Sequence, residues 1–547
     1  MMDKMNIDLK GDLSGGLIAG IIALPLALAF GVQSGMGAAA GLYGAIAVGI
    51  FAAAFGGTRT QASGPTGPMT VVSAAIVAYG IEKTGSLEAG LGIVLLAFLL
   101  GGVFQIVLGL LRVGKYVRYF PYPVISGFMS GVGLIIIFLQ IWPFLGSSSP
   151  KSTIEVFTRI GEPLSQINWA AVGLGALTLV TYYLFPKITK RVPAVLVALV
   201  VGTLAGIVLI SQGISVPVIG DIPSGFPAIR VQEMFSVAPE HARFIIESGV
   251  TLALLGSVDS LLTSVIADNI TGDRHDSNRE LIGQGIGNMV AAVFGGIPGA
   301  GATKGTVVNI NAGGKSRLSG IIHGVFQLVV LLGAGFIASR IPLSVLAGLL
   351  ISVGVAIIDR RGFKHLRTVP KSDSFVMIVV LIWTVFGNLI HAVAAGIVLA
   401  SILFMKKMGD MAEKESRFVS PVEETLWEDE QAIGALGNVM IKHLSGPLFF
   451  GSSSGFLALA STIPEAIDVL VVRMDRVPYI DQSGLYALED TLLELRNKDV
   501  RIALIHPQDQ PRAQLERLEI IPSVVPPEQI FDSIKACEAW LAQLPTT

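Results

Sequence analysis

The sequence predicts a polytopic α-helical membrane protein that carries a small α/β domain at its C-terminal end. Of the 547 residues, 52% are hydrophobic and only 14% are charged, whereas soluble domains contain about 25% charged residues. The mean hydropathy is +0.69. Apolar runs of about 20 residues, the length that crosses a bilayer as a helix, follow one another as far as Met405. The net charge of −2 gives no indication of nucleic-acid binding.

Fourteen apolar runs account for this part of the chain. We expect them near residues 14–32, 37–56, 65–80, 88–111, 121–146, 168–185, 193–212, 246–267, 281–296, 303–312, 317–338, 342–358, 374–389 and 390–406. Two of them, at 65–80 and 303–312, are too short or too interrupted by Gly and Pro to be ordinary spans.

The basic residues predict the orientation of the bundle. With the N-terminus inside, the inner loops hold most of the Lys and Arg residues, and the outer loops hold only Lys83, Lys151, Arg159, Arg230, Arg243 and Arg340. Cytoplasmic loops of membrane proteins are enriched in Lys and Arg. We therefore expect an even number of crossings and both termini in the cytoplasm, with residues 1–407 as the transmembrane region.

The composition changes after Lys407. Residues 408–432 are acidic and polar and read as a linker. Residues 433–547 predict a cytoplasmic α/β domain, because short β-branched runs at 439–444, 469–474 and 500–505 alternate with helical stretches. The single cysteine of the chain, Cys537, fits a reducing cytoplasm.

Asp259 is the most informative residue of the membrane region. It lies inside an apolar run, 249–268, that is long enough to cross a bilayer. A carboxylate at that depth costs several kcal/mol unless a cation, a proton or a polar partner compensates it. Thr263 follows one helical turn later on the same face. A carboxylate and a hydroxyl suit a small hard cation; the alternative is a charge that only holds helices together.

Two interrupted segments occupy matching places in the two halves of the chain. They are 64–72 (GPTGPMTVV) and 299–308 (GAGATKGTVV). Such paired interruptions are typical of the central site of a transporter. The half-helices that follow would present free N–H groups and positive dipole ends, which together can bind an anion. Glycines that serve only close helix packing are the alternative.

Two further side chains have open roles. Lys304 could attract an anion, neutralise Asp259 in place of a metal cation, or extend to the cytoplasmic interface. Phe30 could form an apolar wall of the site or simply pack. The sequence contains no motif for ATP hydrolysis or covalent catalysis, so we expect that the protein is not an enzyme.

These residues together resemble the sulfate permease (SulP) family of anion transporters along nearly the whole chain. The resemblance rests on 11–16 (GDLSGG), 23–25 (ALP), 65–68 (PTGP), 258–264 (VDSLLTS), 283–288 (GQGIGN) and 309–315 (NINAGGK). It implies fourteen segments in two inverted repeats of seven, divided into core and gate domains, with segments 3 and 10 as half-helices. It also implies a homodimer, an elevator-like cycle and a C-terminal STAS domain.

Within the family, the chain most resembles bacterial sodium-dependent bicarbonate transporters of the plasma membrane. Many relatives have an Arg at the start of segment 10, where this chain has Gly305, and sodium would replace that guanidinium. The resemblance assigns sodium, the coupling ion, to four residues: Asp259, Thr263, Gly301 and Thr303. It assigns bicarbonate to Thr66, Ala302 and Thr303, and we add Phe30 and Lys304 to the substrate-binding residues.

Two departures from the bicarbonate-transporter pattern leave other functions open. Lys304 replaces an apolar residue, and Leu26 stands where many sulfate-type members have Gln. The alternatives are proton-coupled transport of sulfate or a dicarboxylate, an uncoupled anion exchanger or channel, and a membrane-tethered signalling protein. In some STAS domains, the residue that matches Ser483 is phosphorylated; the alternative is a plain strand–helix turn in which Ser483 or Asp481 caps the helix.

Overall fold

The computed structural model describes residues 8–150, 152–189, 192–220, 225–235, 237–387, 389–415, 418–419, 438–449 and 467–544. The chain divides into two compact units, Met1–Ile397 and Val398–Thr547. Eight helices of the described residues are long and apolar enough to cross a membrane.

The first seven predicted segments are all confirmed as helices. Their helices are α1 (Leu9–Gln33), α2 (Ala38–Phe55), α3 (Gly67–Thr84), α4 (Leu87–Leu110), α5 (Tyr122–Leu139) with α6 (Ile141–Phe144), α9 (Trp169–Ile188) and α10 (Ala194–Ser211). Two short helices, α7 (Thr153–Thr158) and α8 (Gly161–Ser165), lie in the loop before α9.

The second seven segments are confirmed in the same way. They begin after the short α11 (Val231–Met234) and comprise α12 (Ala242–Thr271), α13 (Ser277–Val293), α14 (Thr303–Asn311), α15 (Arg317–Ala338), α16 (Leu343–Ile357), α18 (Lys371–Phe386) and α19 (Leu389–Glu415), with α17 (Arg360–His365) before α18. Helix α19 continues through residues 408–415 of the predicted linker. Residues 416–417 and 420–432 of that linker lie outside the described residues.

Glycines let α4 and α13 approach backbone to backbone. A Cβ on Gly102 would lie 2.6 Å from the Gly285 oxygen, and a Cβ on Gly285 would lie 2.5 Å from the Gly102 oxygen. Neither position has room for a side chain. Small residues favour such contacts between membrane helices because the hydrophobic effect does not drive association within lipid.

A two-stranded antiparallel ladder joins the two interrupted segments. Strand β1 (Ser63–Gly64) precedes α3, and strand β2 (Ala300–Gly301) precedes α14. Ser63 pairs with Gly301 and Gly64 with Ala300. Each half-helix is the third segment of its seven, so the ladder brings the starts of the two matching half-helices together at buried positions.

The C-terminal unit is built on a five-stranded sheet of order β3-β4-β5-β6-β7. The strands are β3 (Phe418–Val419), β4 (Val439–Ser445), β5 (Val469–Arg476), β6 (Arg501–Ile505) and β7 (Ile530–Phe531), and only β3 runs antiparallel to its neighbour. The helices are α20 (Gln482–Asn497), α21 (Asp509–Arg517), α22 (Ile520–Ser523) and α23 (Ile534–Leu541). The three predicted strands are confirmed as β4, β5 and β6.

Alternate residues of these strands enter two separate cores. Leu470 and Val472 pack on one face with Leu488 of α20, whereas Val471 packs on the other face with Cys537 of α23. This division follows from the two-residue period of a β-strand.

We predict that Cys537 will be unreactive in the native protein. Its side chain is fully buried, and burial, with a smaller effect of the Glu538 charge, raises the pKa of the thiol from 9.0 to about 12. Because the thiolate is the reactive form, dithionitrobenzoate at pH 8 should release thionitrobenzoate from the unfolded protein and very little from the folded one. Rapid, stoichiometric reaction of the native protein at pH 8 would contradict the prediction.

The unfolded thiol ionises near pH 9 while the folded thiol stays neutral, so this group should lower the stability of the domain between pH 9 and pH 12.

Candidate anion and cation site

The starts of the two half-helices carry no side-chain caps. Thr66 occupies the N-cap of α3 and Ala302 that of α14, and neither makes a capping hydrogen bond. The first N–H groups of a helix have no partner within the helix. The Ala302 N–H donates to the Ala62 oxygen at 2.9 Å, so the free donors of α14 begin at Thr303. Two adjacent helix N-termini of this kind favour a negative charge.

Three of the residues assigned to the cation lie in direct contact. The Thr263 hydroxyl donates to the Gly301 oxygen at 2.9 Å, and it lies 2.8 Å from the Thr303 hydroxyl. Helix α12, strand β2 and helix α14 each supply one of these oxygens. The group is made of neutral oxygens alone, which are ligands that hard cations accept.

Asp259 supplies the negative charge of this region. It lies one turn before Thr263 on α12 and is 9% exposed. The Thr66 hydroxyl lies beside its carboxylate, but within the part of the chain that the structure describes neither Thr66 Oγ1 nor Asp259 Oδ2 has a hydrogen-bond partner. An unpaired carboxylate oxygen at a buried position costs free energy that a cation or a proton would recover.

Lys304 is exposed, whereas Phe30 is buried. The Lys304 side chain is exposed at the second position of α14, and it forms no ion pair with Asp259 in the described structure. Phe30 is 3% exposed, and a Cβ added to Gly67 would lie 4.0 Å from Phe30 Cζ. The ring of Phe30 therefore adjoins the first turn of α3, as an apolar wall of the site requires.

Packing does not require a glycine at position 305. A Cβ on Gly305 would lie 3.4 Å from the Cβ of Ala62 and 3.7 Å from that of Ala302. Both distances are ordinary van der Waals contacts. Position 305 therefore has room for a Cβ, so glycine is not needed there for backbone packing.

Glu280 is another buried carboxylate near the half-helix starts that we did not predict from the sequence, and it is 1% exposed. Its Oε2 accepts hydrogen bonds from the N–H groups of Gly57 and Thr58 at 2.9 and 2.8 Å. Its Oε1 accepts from the side-chain amides of Gln61 and Gln284, both at 2.8 Å. Helix α13 begins at Ser277 rather than at the predicted 281, and the spacing of Glu280 and Gln284 on one helical face was the available signal.

The hydrogen bonds of Glu280 fix residues that lie next to the starts of α3 and α14. Gln61 also accepts a hydrogen bond from Ser264 of α12 at 2.9 Å, and a Cβ on Gly301 would lie only 2.3 Å from Gln61 Nε2. Gln284 donates to the Ser63 hydroxyl of β1 at 2.6 Å. Through Gln61 and Gln284, Glu280 supports both strands of the ladder.

Side chains of α12 and α13 also fix the strand β2 and the residue before it. The Gly301 N–H donates to the Ser260 hydroxyl at 3.0 Å. The side-chain amide of Asn288 accepts from the Gly299 N–H at 2.7 Å and donates to the Gly299 oxygen at 3.1 Å. These partners leave the Gly301 oxygen directed at Thr263.

Ser483, the predicted regulatory residue, is the second residue of α20 and is exposed. Asp481 is the N-cap, and its side chain accepts from the Gly484 N–H at 2.8 Å. Of the two capping residues considered, Asp481 is therefore the one that caps the helix. A phosphate on Ser483 remains a prediction.

Comparison with known proteins places the chain among transporters. A model of the sulfate permease family matches residues 9–380, and a STAS domain model matches residues 432–537. The bicarbonate transporter BicA of Picosynechococcus sp. is 41% identical over 504 residues, which cover 90% of this chain and 88% of the relative.

Two solved structures are similar as well. The transmembrane domain of a cyanobacterium bicarbonate transporter BicA aligns with a TM-score of 0.65 at 44% identity, over 73% of this chain and 98% of that one. The murine Solute Carrier 26 family member A9 anion transporter, in its inward-facing state, aligns with a TM-score of 0.83 over 99% of this chain and 92% of that one. Its identity of 20% shows the fold alone.

The fold and the half-helix site define a multi-pass membrane transporter of small anions with a C-terminal STAS domain. The match over residues 9–380 and the 41% identity to a full-length relative make the assignment specific. The chain belongs to the sulfate permease family.

We predict that Glu280→Gln will destabilise the membrane region. The new amide would place two donors against the N–H groups or side-chain amides that now donate to Glu280, and each unsatisfied buried group costs roughly 1–3 kcal/mol. Thermal unfolding in detergent, followed by size-exclusion chromatography, should show an apparent melting temperature lower by several degrees. Glu88→Gln, at an exposed position in the first turn of α4, is the control and should leave it unchanged. Equal melting temperatures for both variants would show that the Glu280 hydrogen bonds do not support the fold.

Proposed function

We propose that the protein is a secondary transporter that imports bicarbonate in symport with sodium across a bacterial plasma membrane. The observation that carries this proposal is the unpaired, buried oxygen of Asp259 beside two uncapped half-helix starts. Its relative BicA is named a bicarbonate transporter. Sodium, bicarbonate and the bilayer are the implied partners.

The anion would bind between the two half-helix starts. Each N-terminus carries roughly half a positive elementary charge, so two together match the single negative charge of bicarbonate without a basic side chain. The N–H groups that begin at Thr303 and the Thr66 hydroxyl would supply hydrogen bonds. Ala302 would only contact the anion, because its N–H already donates to the Ala62 oxygen. The ring of Phe30 would cover one face of the planar anion.

The cation would bind between the Asp259 carboxylate and the oxygens of Thr263, Gly301 and Thr303, which contact one another. Without it, the Asp259 carboxylate repels an anion at the neighbouring half-helix starts. A sodium ion would cancel that charge, so each ion would raise the affinity for the other by the same factor. This reciprocal effect is the physical basis of symport in the proposal.

From the resemblance to the family, we also propose that the protein is a homodimer. Its core domain would move against its gate domain in an elevator-like cycle. Exposed Lys304 supports an alternative, in which a fixed positive charge attracts sulfate, a dicarboxylate or another anion and no sodium is required. In that alternative, Asp259 would be neutralised by a proton or would take no part in coupling.

We predict that an inward sodium gradient will drive labelled bicarbonate uptake into proteoliposomes. Asp259→Asn should abolish the sodium-driven component because the amide carries no charge for sodium to neutralise. Uptake by the wild type should be compared at matched membrane potential with sodium, with potassium, and with a proton gradient alone.

Each contrary result supports one alternative. Uptake that ignores sodium but rises steeply at acidic pH, with competition by sulfate, would support proton coupling through Asp259. Uptake that requires a counter-anion, or currents far above transporter rates, would support an exchanger or channel. Transport that survives deletion of residues 433–547 would count against a protein whose main role is signalling through the STAS domain.

We predict that Thr263→Val will raise the KM for sodium about tenfold, since one lost oxygen ligand or hydrogen bond is worth roughly 1.4 kcal/mol. Thr263→Ser keeps the hydroxyl and should restore most of the affinity. Thr181→Val removes a hydroxyl that donates only to its own helix at Leu177 and serves as the matched control. A lower maximal rate with an unchanged sodium KM would argue against Thr263 as a sodium ligand.

A further inference from the structure

A cavity of about 320 Å³ opens beside Asp259, and its lining residues do not include the other proposed ion ligands Thr263, Gly301 and Thr303. Helices α3, α5, α12 and α19 form its walls, with Val72, Phe128, Leu255 and Ala394 as representative lining residues. Its volume is about twice that of an engineered cavity that holds benzene. A two-ring aromatic body therefore fits it.

The lining of the cavity is apolar except at two side chains, Thr251 and Asp259. The Thr251 hydroxyl is already bound, because it donates to the Glu247 oxygen of its own helix at 2.7 Å. Asp259 is about nine-tenths buried, and its Oδ2 has no hydrogen-bond partner among the described residues. The cavity thus combines an apolar chamber with one unpaired carboxylate.

We propose that this cavity binds lipophilic primary amines, with the ammonium group on Asp259 and the apolar body among the surrounding side chains. An ammonium donor would form a charge-assisted hydrogen bond with the Asp259 carboxylate, which lines the cavity. The apolar body would gain by leaving water. Val250 and Leu254 line the cavity and are 40% and 45% exposed, so the cavity opens to the surface of the protein.

Amine binding in this cavity would also affect transport, and this consequence rests on the proposed function. The amine would neutralise Asp259 in place of sodium, but it would also fill the space between helices that the elevator cycle must move. Such amines are therefore expected to be sodium-competitive inhibitors rather than substitutes for sodium.

The test measures binding of 1-naphthylmethylamine and of its neutral analogue 1-naphthalenemethanol to the purified full-length protein in nanodiscs, by equilibrium dialysis at pH 7. The amine should bind at least about tenfold more tightly than the alcohol, the lower range for a hydrogen bond to a charged group. Asp259→Asn should remove that difference. Equal binding of amine and alcohol to the wild type would indicate a site for apolar lipid alone and would overturn the proposal, as would a difference that survives Asp259→Asn.

A second pair of variants keeps the test decisive if Asp259→Asn fails to fold. Ala394→Phe fills the cavity and should weaken both ligands, whereas Val265→Phe, at an exposed position of α12 outside the cavity, should weaken neither. Unchanged binding to Ala394→Phe would place the ligand elsewhere and overturn the proposal.

Measuring amine binding at several sodium concentrations distinguishes the amine site from the proposed sodium site. A rise in the amine dissociation constant with sodium concentration would support both, because the two cations would then share Asp259. Amine binding that depends on Asp259 but not on sodium would support the amine site and count against sodium at that carboxylate.

Discussion

The pairing of β1 with β2 is the interaction on which the site depends. Four residues form the ladder, with Ser63 opposite Gly301 and Gly64 opposite Ala300. Because each strand leads directly into a half-helix, this short pairing fixes the distance between two helix N-termini that are far apart in the sequence. It also satisfies backbone groups that would otherwise be unpaired at membrane depth, where no lipid can replace the lost hydrogen bonds.

The buried carboxylates of Glu280 and Asp259 have different roles in this region. Glu280 accepts four hydrogen bonds, and its charge is satisfied by the protein itself. Asp259 keeps an oxygen without a partner. The first is a structural support for the ladder, and the second leaves free energy available to whichever cation, proton or donor arrives. Of these two acids, only Asp259 has free energy left to gain from a bound cation.

Local patterns in the sequence predicted most of the fold because apolar runs, Gly/Pro interruptions and β-branched runs are local signals. They identified the fourteen predicted helical segments of the described membrane region, the interruptions before α3 and α14, and three strands of the C-terminal sheet. The spacing of Glu280 and Gln284 was a local signal, but the other partners of Glu280 could not be predicted, since Gly57, Thr58 and Gln61 lie more than 200 residues away in the chain. The proximity of Thr263 to Thr303 came from family resemblance, and local spacing could not have given it. The separation of Lys304 from Asp259 depends on side-chain direction, which sequence spacing leaves undetermined.

The buried thiol in the C-terminal unit gives this transporter a practical advantage. Studies of motion in membrane transporters often begin by removing every native cysteine, at some cost to stability. Here the single cysteine lies within a closed core, so paired spin labels or fluorophores can be attached to newly introduced cysteines while the natural chain stays otherwise intact. Distances between labels on α12 and α5 would then follow the working cycle of a nearly wild-type molecule in real time.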